Sequence, residues 1–133
     1  MNQKEMRIWI NSEASLARSI MATRKLAESI GLQNNQVALV ATAVSELARN
    51  ILKYAKQGEV ILRPVSQLTR PGIEVVAWDR GPGIEDVDTA MCDHHSTGGT
   101  LGLGLPGVKR LMDDFEIESE VGKGTRVTAR KWK

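Results

Sequence analysis

The sequence predicts an α+β two-layer sandwich, with helices on one face of a mostly antiparallel sheet. Two segments in the first half carry apolar residues at helical spacing, whereas several short apolar or alternating runs are typical of strands. The later strand-like runs are separated by short turns, which suit hairpins and are too short for parallel crossovers. With 133 residues and no internal repeat, the chain is predicted to form one domain, residues 1–133.

The first half of the chain is predicted to hold one strand and two helices. Residues 6–10 alternate like a short strand, and Asn11-Ser12 offers N-cap side chains to a helix that Gly31 stops. A second helix is predicted from about 35 to 56, with Gly58 ending it. Its apolar stripe consists of Val37, Val40, Val44, Leu47, Ile51 and Tyr54.

The second half is predicted to contain two pairs of strands. Residues 59–65 and 73–78 are typical strand segments, and Pro71-Gly72 is the expected turn between them. Residues 115–121 and 125–132 are expected to surround the turn Gly122-Lys123-Gly124. Strand alternation favours core packing for the three tryptophans, least securely for the last, near the chain end: Trp9, Trp78 and Trp132.

Between these pairs lies a glycine-rich segment that is predicted to be a long loop. Residues 80–104 hold six of the chain's 12 glycines, and a loop of this length in a small domain is usually functional and mobile. Pro106 then suits the first turn of a third helix that carries Val108, Leu111 and Met112.

Composition and charge exclude several classes of protein. The 18 basic and 16 acidic residues are interspersed and leave a net charge of +2, so no basic stripe indicates nucleic-acid binding. The lone Cys92 forms no internal disulfide, and no Cys/His spacing indicates a structural zinc. No segment has the features of a signal peptide or a membrane span, so we expect a cytoplasmic protein without a membrane partner.

Gly102-x-Gly104-x-x-Gly107 has the spacing of a dinucleotide-binding fingerprint, but its surroundings are wrong for one. A Rossmann site needs a strand directly before the first glycine inside a βαβ unit, and here a predicted loop precedes it. A P-loop is excluded because no Lys-Ser or Lys-Thr follows at the required position. The glycines either cradle phosphate at a helix N-terminus or merely allow a tight loop.

Asp79 directly follows a predicted apolar strand and precedes Gly81 and Gly83. A carboxylate at such a strand end can accept a hydrogen bond from an exocyclic amine, such as that of adenine. The two glycines would let the backbone approach a flat ligand closely. The alternative is that Asp79 only stabilises a turn with its side chain.

Glu46, Asn50 and Lys53 share one edge of the second predicted helix, because residues three and four apart lie on the same side. A carboxylate, an amide oxygen and an ammonium group suit acid/base chemistry, Mg²⁺ and a phosphate tail. The alternative is a solvated helix edge with a hydrogen bond between Glu46 and Asn50.

Taken in order, these segments and the final Gly124-Thr125 resemble the N box, the two glycine boxes and the closing Gly-Thr of the GHKL ATPase/kinase superfamily. The resemblance implies the Bergerat fold, a mixed, mostly antiparallel sheet with helices on one face. The chain has no room for the transducer or phospho-accepting helix of larger members. Over nearly its whole length it is similar to the RsbT-like serine/threonine switch kinases of bacterial stressosomes, particularly at residues 41–50, 79–84 and 102–113.

For the adenine end of the site, the resemblance implies that Asp79 binds the exocyclic amine and that Gly81 and Gly83 pass close to the base. Thr125 would support the adenine side of the pocket. Three glycines would shape the lid end and the start of the phosphate-facing helix: Gly102, Gly104 and Gly107.

For the phosphate end, the resemblance implies that Asn50 ligates Mg²⁺ beside ATP. Glu46 is the candidate catalytic residue, a general base that orients or deprotonates the acceptor hydroxyl. Lys53 and Lys109 are assigned to the phosphates from charge and position alone. Cys92, His94 and His95 match no family motif and receive no role.

The resemblance also implies partners. RsbT-like kinases phosphorylate serine or threonine on STAS-domain scaffold and antagonist proteins, then leave the stressosome and activate a serine phosphatase by binding it. Two alternatives stay open: a nucleotide-gated binding module without transfer activity, and an anti-sigma factor kinase that acts directly on a sigma factor.

Overall fold

The computed structural model describes residues 5–92 and 104–133 of the chain. Within them, five strands form one sheet in the order β1-β2-β3-β5-β4. All four pairs of neighbouring strands in this described sheet are antiparallel, so the predicted mostly antiparallel sheet is confirmed. The strands are β1 (Met6–Ile10), β2 (Gly58–Gln67), β3 (Arg70–Asp79), β4 (Asp114–Glu120) and β5 (Gly124–Trp132).

The first helix begins and ends where the sequence signals it, whereas a short helix at Val87–Ala90 lies inside the segment predicted as a loop. Ser12 caps the first helix by accepting a hydrogen bond from the Ser15 backbone N–H, and Gly31 ends it with φ at 97°. A π-helix at Ile51–Ala55 continues the second helix without a break. The α-helices of the described residues are α1 (Glu13–Ile30), α2 (Asn34–Asn50), α3 (Val87–Ala90) and α4 (Gly104–Leu111).

The core lies between the helices and one face of the sheet. Alternate strand residues point into it, as Val60 and Leu62 do on β2 and Ile73 and Val75 on β3. Val40 and Val44 meet them from α2 and are fully buried. Burying each such side chain contributes about 1.5–3 kcal/mol to folding. The predicted two-layer α+β sandwich is therefore confirmed.

The opposite face of the sheet is covered by its own side chains. Ile61 and Val76 point to this face and are buried, although neither belongs to the helix-side cluster. Glu74 lies between Arg63 and Arg130, with 2.9 Å ion pairs to both. Long arginine side chains can cover apolar surface while their charged ends reach water, which explains how this face is closed.

The turn between β2 and β3 differs from the prediction. It lies at Leu68 and Thr69, where Leu68 has φ at 56°, and Pro71 and Gly72 belong to β3. Gly72 is required for space, because a Cβ there would lie 2.6 Å from both the carbonyl oxygen of Lys131 and the ring of Trp132. The Pro-Gly signal thus reflects contact with β5 and not a turn.

The end of the second helix also differs. The chain widens into the π-helix after Asn50 and leaves helical geometry at Lys56, where φ is 71°. Tyr54, predicted on the buried stripe, is 51% exposed because the wider turn shifts the helical register. Gly58 does not end the helix but begins β2, where a Cβ would lie 2.5 Å from the Trp78 carbonyl oxygen.

The tryptophans reverse the order of burial that alternation favoured. Trp132 is 7% exposed, whereas Trp9 is 44% exposed and stacks edge-on against Trp78 with ring centroids 6.2 Å apart. Trp132 Nε1 donates a 2.9 Å hydrogen bond to Asp114, and the Trp132 ring lies against Gly72 of β3. No helix among residues 5–92 and 104–133 has both the length and the apolarity that crossing a membrane requires.

Candidate functional site

Four residues form a row across one end of the sheet, on the face that bears the helices. Register pairs Gly58 with Asp79, Asp79 with Thr125, and Thr125 with Ser119. Directly opposed residues of antiparallel strands project to the same side, so the Asp79, Thr125 and Ser119 side chains are neighbours. Strand pairing therefore brings together Asp79 and Thr125, which lie 46 residues apart in the sequence.

Asp79 uses its two carboxylate oxygens differently. Oδ1 accepts a 2.8 Å hydrogen bond from the backbone N–H of Gly81. Oδ2 accepts no hydrogen bond from any residue that the structure describes, and the side chain is only partly buried. The turn-stabilising role and the ligand-binding role are thus compatible, because each needs one oxygen.

The glycines around Asp79 lie where neighbouring protein segments pack too closely to leave room for a Cβ atom. A Cβ at Gly81 would lie 2.7 Å from the Cβ of Ala55, in the π-helix. A Cβ at Gly83 or Gly124 would overlap a backbone carbonyl oxygen, that of Glu120 or Asp79 respectively. Packing alone therefore explains why these positions are glycine, and close approach of an adenine ring to Gly81 or Gly83 stays a prediction.

Asn50 reaches this end of the sheet as the last residue of α2. The next residue, Ile51, packs where Gly58 and Asp79 meet, since a Cβ on Gly58 would lie 2.9 Å from Ile51 Cγ2 and 3.1 Å from Asp79 Cβ. Glu46 lies one helical turn before Asn50. Both side chains are half-buried, and no hydrogen bond joins them, so the alternative of a mutually bonded helix edge is not what the structure has.

Lys53 follows in the π-helix and is exposed. Its Nζ lies 5.2 Å from the centroid of the Tyr54 ring, a cation–π distance. Lys53 shares the π-helix with Ala55, which packs against Gly81. The wider π-helical turn shifts the helical register after Asn50, so a position of the Lys53 ammonium group beside the phosphates stays a prediction.

Helix α4 packs against α2 and supplies the remaining predicted groups. It begins at Gly104, whose φ is 65°, and Pro106 lies in its first turn as predicted. Gly107 is buried and Lys109 is exposed. The Nζ of Lys131 donates a 2.8 Å hydrogen bond to the Leu111 carbonyl oxygen and thereby caps the far end of the helix.

Gly102 of the predicted site lies outside the described residues, as do His94 and His95, to which no role was assigned. Cys92, just before that gap, is exposed.

The donor set fits Mg²⁺ beside a polyphosphate better than a metal held by protein alone. No cluster of three or more His, Cys, Asp or Glu occurs in the two described segments. Asn50 and Glu46 offer two oxygen-bearing side chains one turn apart, and Mg²⁺ in phosphate-binding sites takes few protein ligands and several water or phosphate oxygens.

Sequence reasoning missed Ser119. Its Oγ accepts a 2.7 Å hydrogen bond from the Ile84 backbone N–H and lies 2.8 Å from Thr125 Oγ1. The turn at Gly122 and Gly124 sets the register that pairs Ser119 with Thr125, so that signal was available once the hairpin had been recognised. The contact between Ala55 and Gly81 was not predictable, because it depends on the π-helix.

Comparison with known families gives one match over most of the chain. The model described as histidine kinase-like ATPase domain matches residues 10–131. The four segments that carry the resemblance all lie within this range, so the family predicted from them is confirmed.

Individual proteins agree with that match. The chain is 42% identical to the serine/threonine-protein kinase RsbT of Bacillus subtilis over 123 residues, 92% of each chain. It is 33% identical to the anti-sigma F factor of Caldanaerobacter subterraneus subsp. tengcongensis over 98% of this chain and 94% of that one. Among solved structures, that of the RsbU and RsbW domains of Rv1364c from Mycobacterium tuberculosis shares the fold with a TM-score of 0.66 at 17% identity, covering 97% of this chain and 32% of that one.

Proposed function

The chain belongs to the histidine kinase-like ATPase family, within its RsbT-like serine/threonine kinases, and we propose that it transfers the γ-phosphate of ATP to a serine or threonine of a STAS-domain scaffold or antagonist protein. The observation that carries the proposal is the available Asp79 oxygen at the sheet end where α2 delivers Asn50. Base recognition needs a hydrogen-bond acceptor, and phosphate chemistry needs a metal ligand, and this end of the sheet offers a residue of each kind.

At the adenine end, Asp79 Oδ2 accepts a hydrogen bond from the exocyclic amine. The backbone N–H of Gly81 hydrogen-bonds the other oxygen, Oδ1, and thereby fixes the orientation of the carboxylate. Thr125 lies opposite Asp79 on β5 and adds a hydroxyl to the same side of the pocket. We assign nucleotide selection to this pair of side chains.

At the phosphate end, Asn50 holds Mg²⁺, which when bound neutralises phosphate charge. Lys53 and Lys109 add positive charge from the π-helix and from α4. Glu46 accepts the proton of the acceptor serine or threonine hydroxyl. The oxygen of that hydroxyl bonds to the γ-phosphorus as the bond from the γ-phosphorus to the β–γ bridging oxygen breaks, which leaves ADP. Phosphoryl transfer depends mainly on such positioning and charge neutralisation.

The proposed partner cycle follows the RsbT-like family. After phosphorylating its STAS-domain partner, the kinase dissociates and activates a serine phosphatase by binding it. The 42% sequence identity to a protein named a serine/threonine kinase, over 92% of this chain, supports the transfer step. It gives less support for which proteins are the two partners. A cytoplasmic location remains a prediction.

The test is transfer of labelled γ-phosphate from Mg-ATP to a purified STAS-domain protein. Wild type and Glu28→Ala should transfer, whereas Glu46→Ala should bind Mg-ATP and the partner but lose transfer by about 10²-fold or more. Glu28 is the matched control because it is a helical carboxylate exposed on α1. Binding of ATP and of the partner by wild type without transfer would support the nucleotide-gated binding module instead.

An anti-sigma factor is the second candidate, and the 33% identity to an anti-sigma F factor favours it. Its direct partner would be a sigma subunit of RNA polymerase. Pull-down with immobilised wild-type chain separates the two: retention of a purified sigma factor supports this candidate, and retention of the STAS-domain protein alone supports the switch kinase.

A further inference from the structure

The Ser119 hydroxyl is saturated with hydrogen bonds. It accepts from the Ile84 backbone N–H at 2.7 Å, lies 3.0 Å from the Gly124 carbonyl oxygen, and lies 2.8 Å from Thr125 Oγ1. A serine hydroxyl has one proton to donate and two lone pairs that accept. Three partners therefore use its whole capacity.

The chemistry of the partners fixes where each proton lies. Ile84 N–H can only donate and the Gly124 carbonyl can only accept, so Ser119 gives its proton to Gly124. Thr125 must then donate in the 2.8 Å bond between the hydroxyls. Among the described residues, Thr125 Oγ1 has no other hydrogen-bond partner, so its proton is committed to Ser119 and its lone pairs remain.

We propose that Ser119 is a positioning residue that makes Thr125 an obligate acceptor and so sets the preference of the site for adenine. Thr125 is paired with Asp79 across β3 and β5, which puts a hydroxyl that only accepts beside a carboxylate that only accepts. Two such acceptors favour a ring that presents an amine, directly or through water. They disfavour a ring with a carbonyl oxygen at the same position.

Ser119 also holds the loop that follows Asp79. The bond from Ile84 and the 2.9 Å bond from the Gly122 N–H to the Pro82 carbonyl oxygen join residues 82–84 to the β4–β5 turn. A merely structural role would act through this loop and weaken all nucleotides alike. The proposed role changes the ratio between an amine-bearing and a carbonyl-bearing base.

The inference rests on the proposed function, because it needs the adenine ring at Asp79 and Thr125. The experiment compares affinities for ATP and inosine triphosphate, which carries a carbonyl oxygen in place of the adenine amine and a hydrogen on N1, on the full chain with Mg²⁺. Because the N1 difference is present in every variant, the readout is the change in the affinity ratio from wild type to variant. Ser119→Ala frees the Thr125 proton to donate, so the ATP-to-ITP affinity ratio should fall about three- to tenfold. Ser119→Thr restores the hydroxyl and should restore the ratio.

A second variant shows whether Ser119 works through Thr125. In a Thr125→Val background, Ser119→Ala should leave the ratio unchanged, because no hydroxyl remains to be reoriented. Ser66→Ala, an exposed serine on β2, is the control for loss of a hydroxyl elsewhere on the sheet.

The outcomes separate the two proposals. Binding of neither nucleotide by the wild-type chain would overturn the proposed function and this inference with it. Binding of ATP with an ATP-to-ITP ratio that Ser119→Ala does not change would overturn the inference alone. An equal loss of affinity for both nucleotides would make Ser119 a support for the loop and nothing more.

Discussion

The backbone N–H of Gly81 donates a 2.8 Å hydrogen bond to Asp79 Oδ1, which leaves Oδ2 as the carboxylate oxygen available to a ligand. The donor sits on a loop whose next contact is Ala55 in the π-helix, the continuation of the helix that carries Asn50. The two ends of the proposed ATP site are therefore coupled by packing of small residues.

Asp79→Asn should weaken ATP binding about tenfold or more, because the second oxygen becomes an amide donor that faces an amine donor and the charge is lost. The Asn oxygen can still accept from Gly81, so the fold should be retained. Calorimetric titration of ATP measures the change. Asp88→Asn, an exposed carboxylate on α3, should bind ATP like wild type. Equal affinities in the two variants would remove Asp79 from the site.

Gly124→Ala should destabilise the protein by about 2 kcal/mol more than Gly122→Ala, because overpacking adds to backbone strain. Both glycines have positive φ, 119° and 82°. A Cβ at Gly124 overlaps the Asp79 carbonyl oxygen, whereas one at Gly122 has nothing within 4 Å. Urea unfolding of both variants measures the difference, and equal loss of stability would show that the backbone near Asp79 yields to the added methyl group.

Elements set by local chemistry were predictable from the sequence. Ser12 and Gly31 bound α1 because capping acts within a few residues, and the strand at residues 6–10 agrees with its alternation. The turn predicted at Pro71-Gly72 was wrong, because glycine is required at position 72 by close contact with Lys131 and Trp132, on a strand about sixty residues later. Contacts of that kind leave no local signal.

The residues of the candidate site also differ in whether the sequence alone indicates them. Asp79 and Asn50 were predicted from their spacing to glycines and to helix neighbours, which is sequence information. Ser119 was missed because its contacts depend on the pairing of β4 with β5 and on the course of the loop after Asp79. Strand register decides which residues face each other, whereas the direction of a hydrogen bond follows from what each partner can donate or accept.

Asp86 should make the start of α3 sensitive to acid. The Thr89 side chain, then its backbone N–H, hydrogen-bonds the carboxylate and lowers the pKa of Asp86 below its ordinary value of 3.8. Because the folded pKa is lowered, the stabilising effect is complete above the ordinary value and is lost as pH falls through the folded pKa. The Thr89 amide resonance, followed by NMR from pH 6 to about 2, should report this loss.

Asn caps helices without titrating, so Asp86→Asn is the control. In that variant the transition of the Thr89 resonance below the ordinary Asp value should vanish. If it persisted, another group would be responsible for the acid sensitivity of α3.

Glu74 should contribute more to stability than Glu116, although both carboxylates pair with Arg130. Glu74 is 7% exposed and also pairs with Arg63, whereas the Glu116 side chain is 64% exposed and lies 3.7 Å from Arg130. Glu74→Ala leaves two arginines without their shared carboxylate and should cost about 2 kcal/mol. Glu116→Ala removes an exposed pair and should cost less than about 0.5 kcal/mol. Chemical denaturation of the two variants measures both changes, and equal costs would mean that water screens the Glu74 pairs as fully as the Glu116 pair.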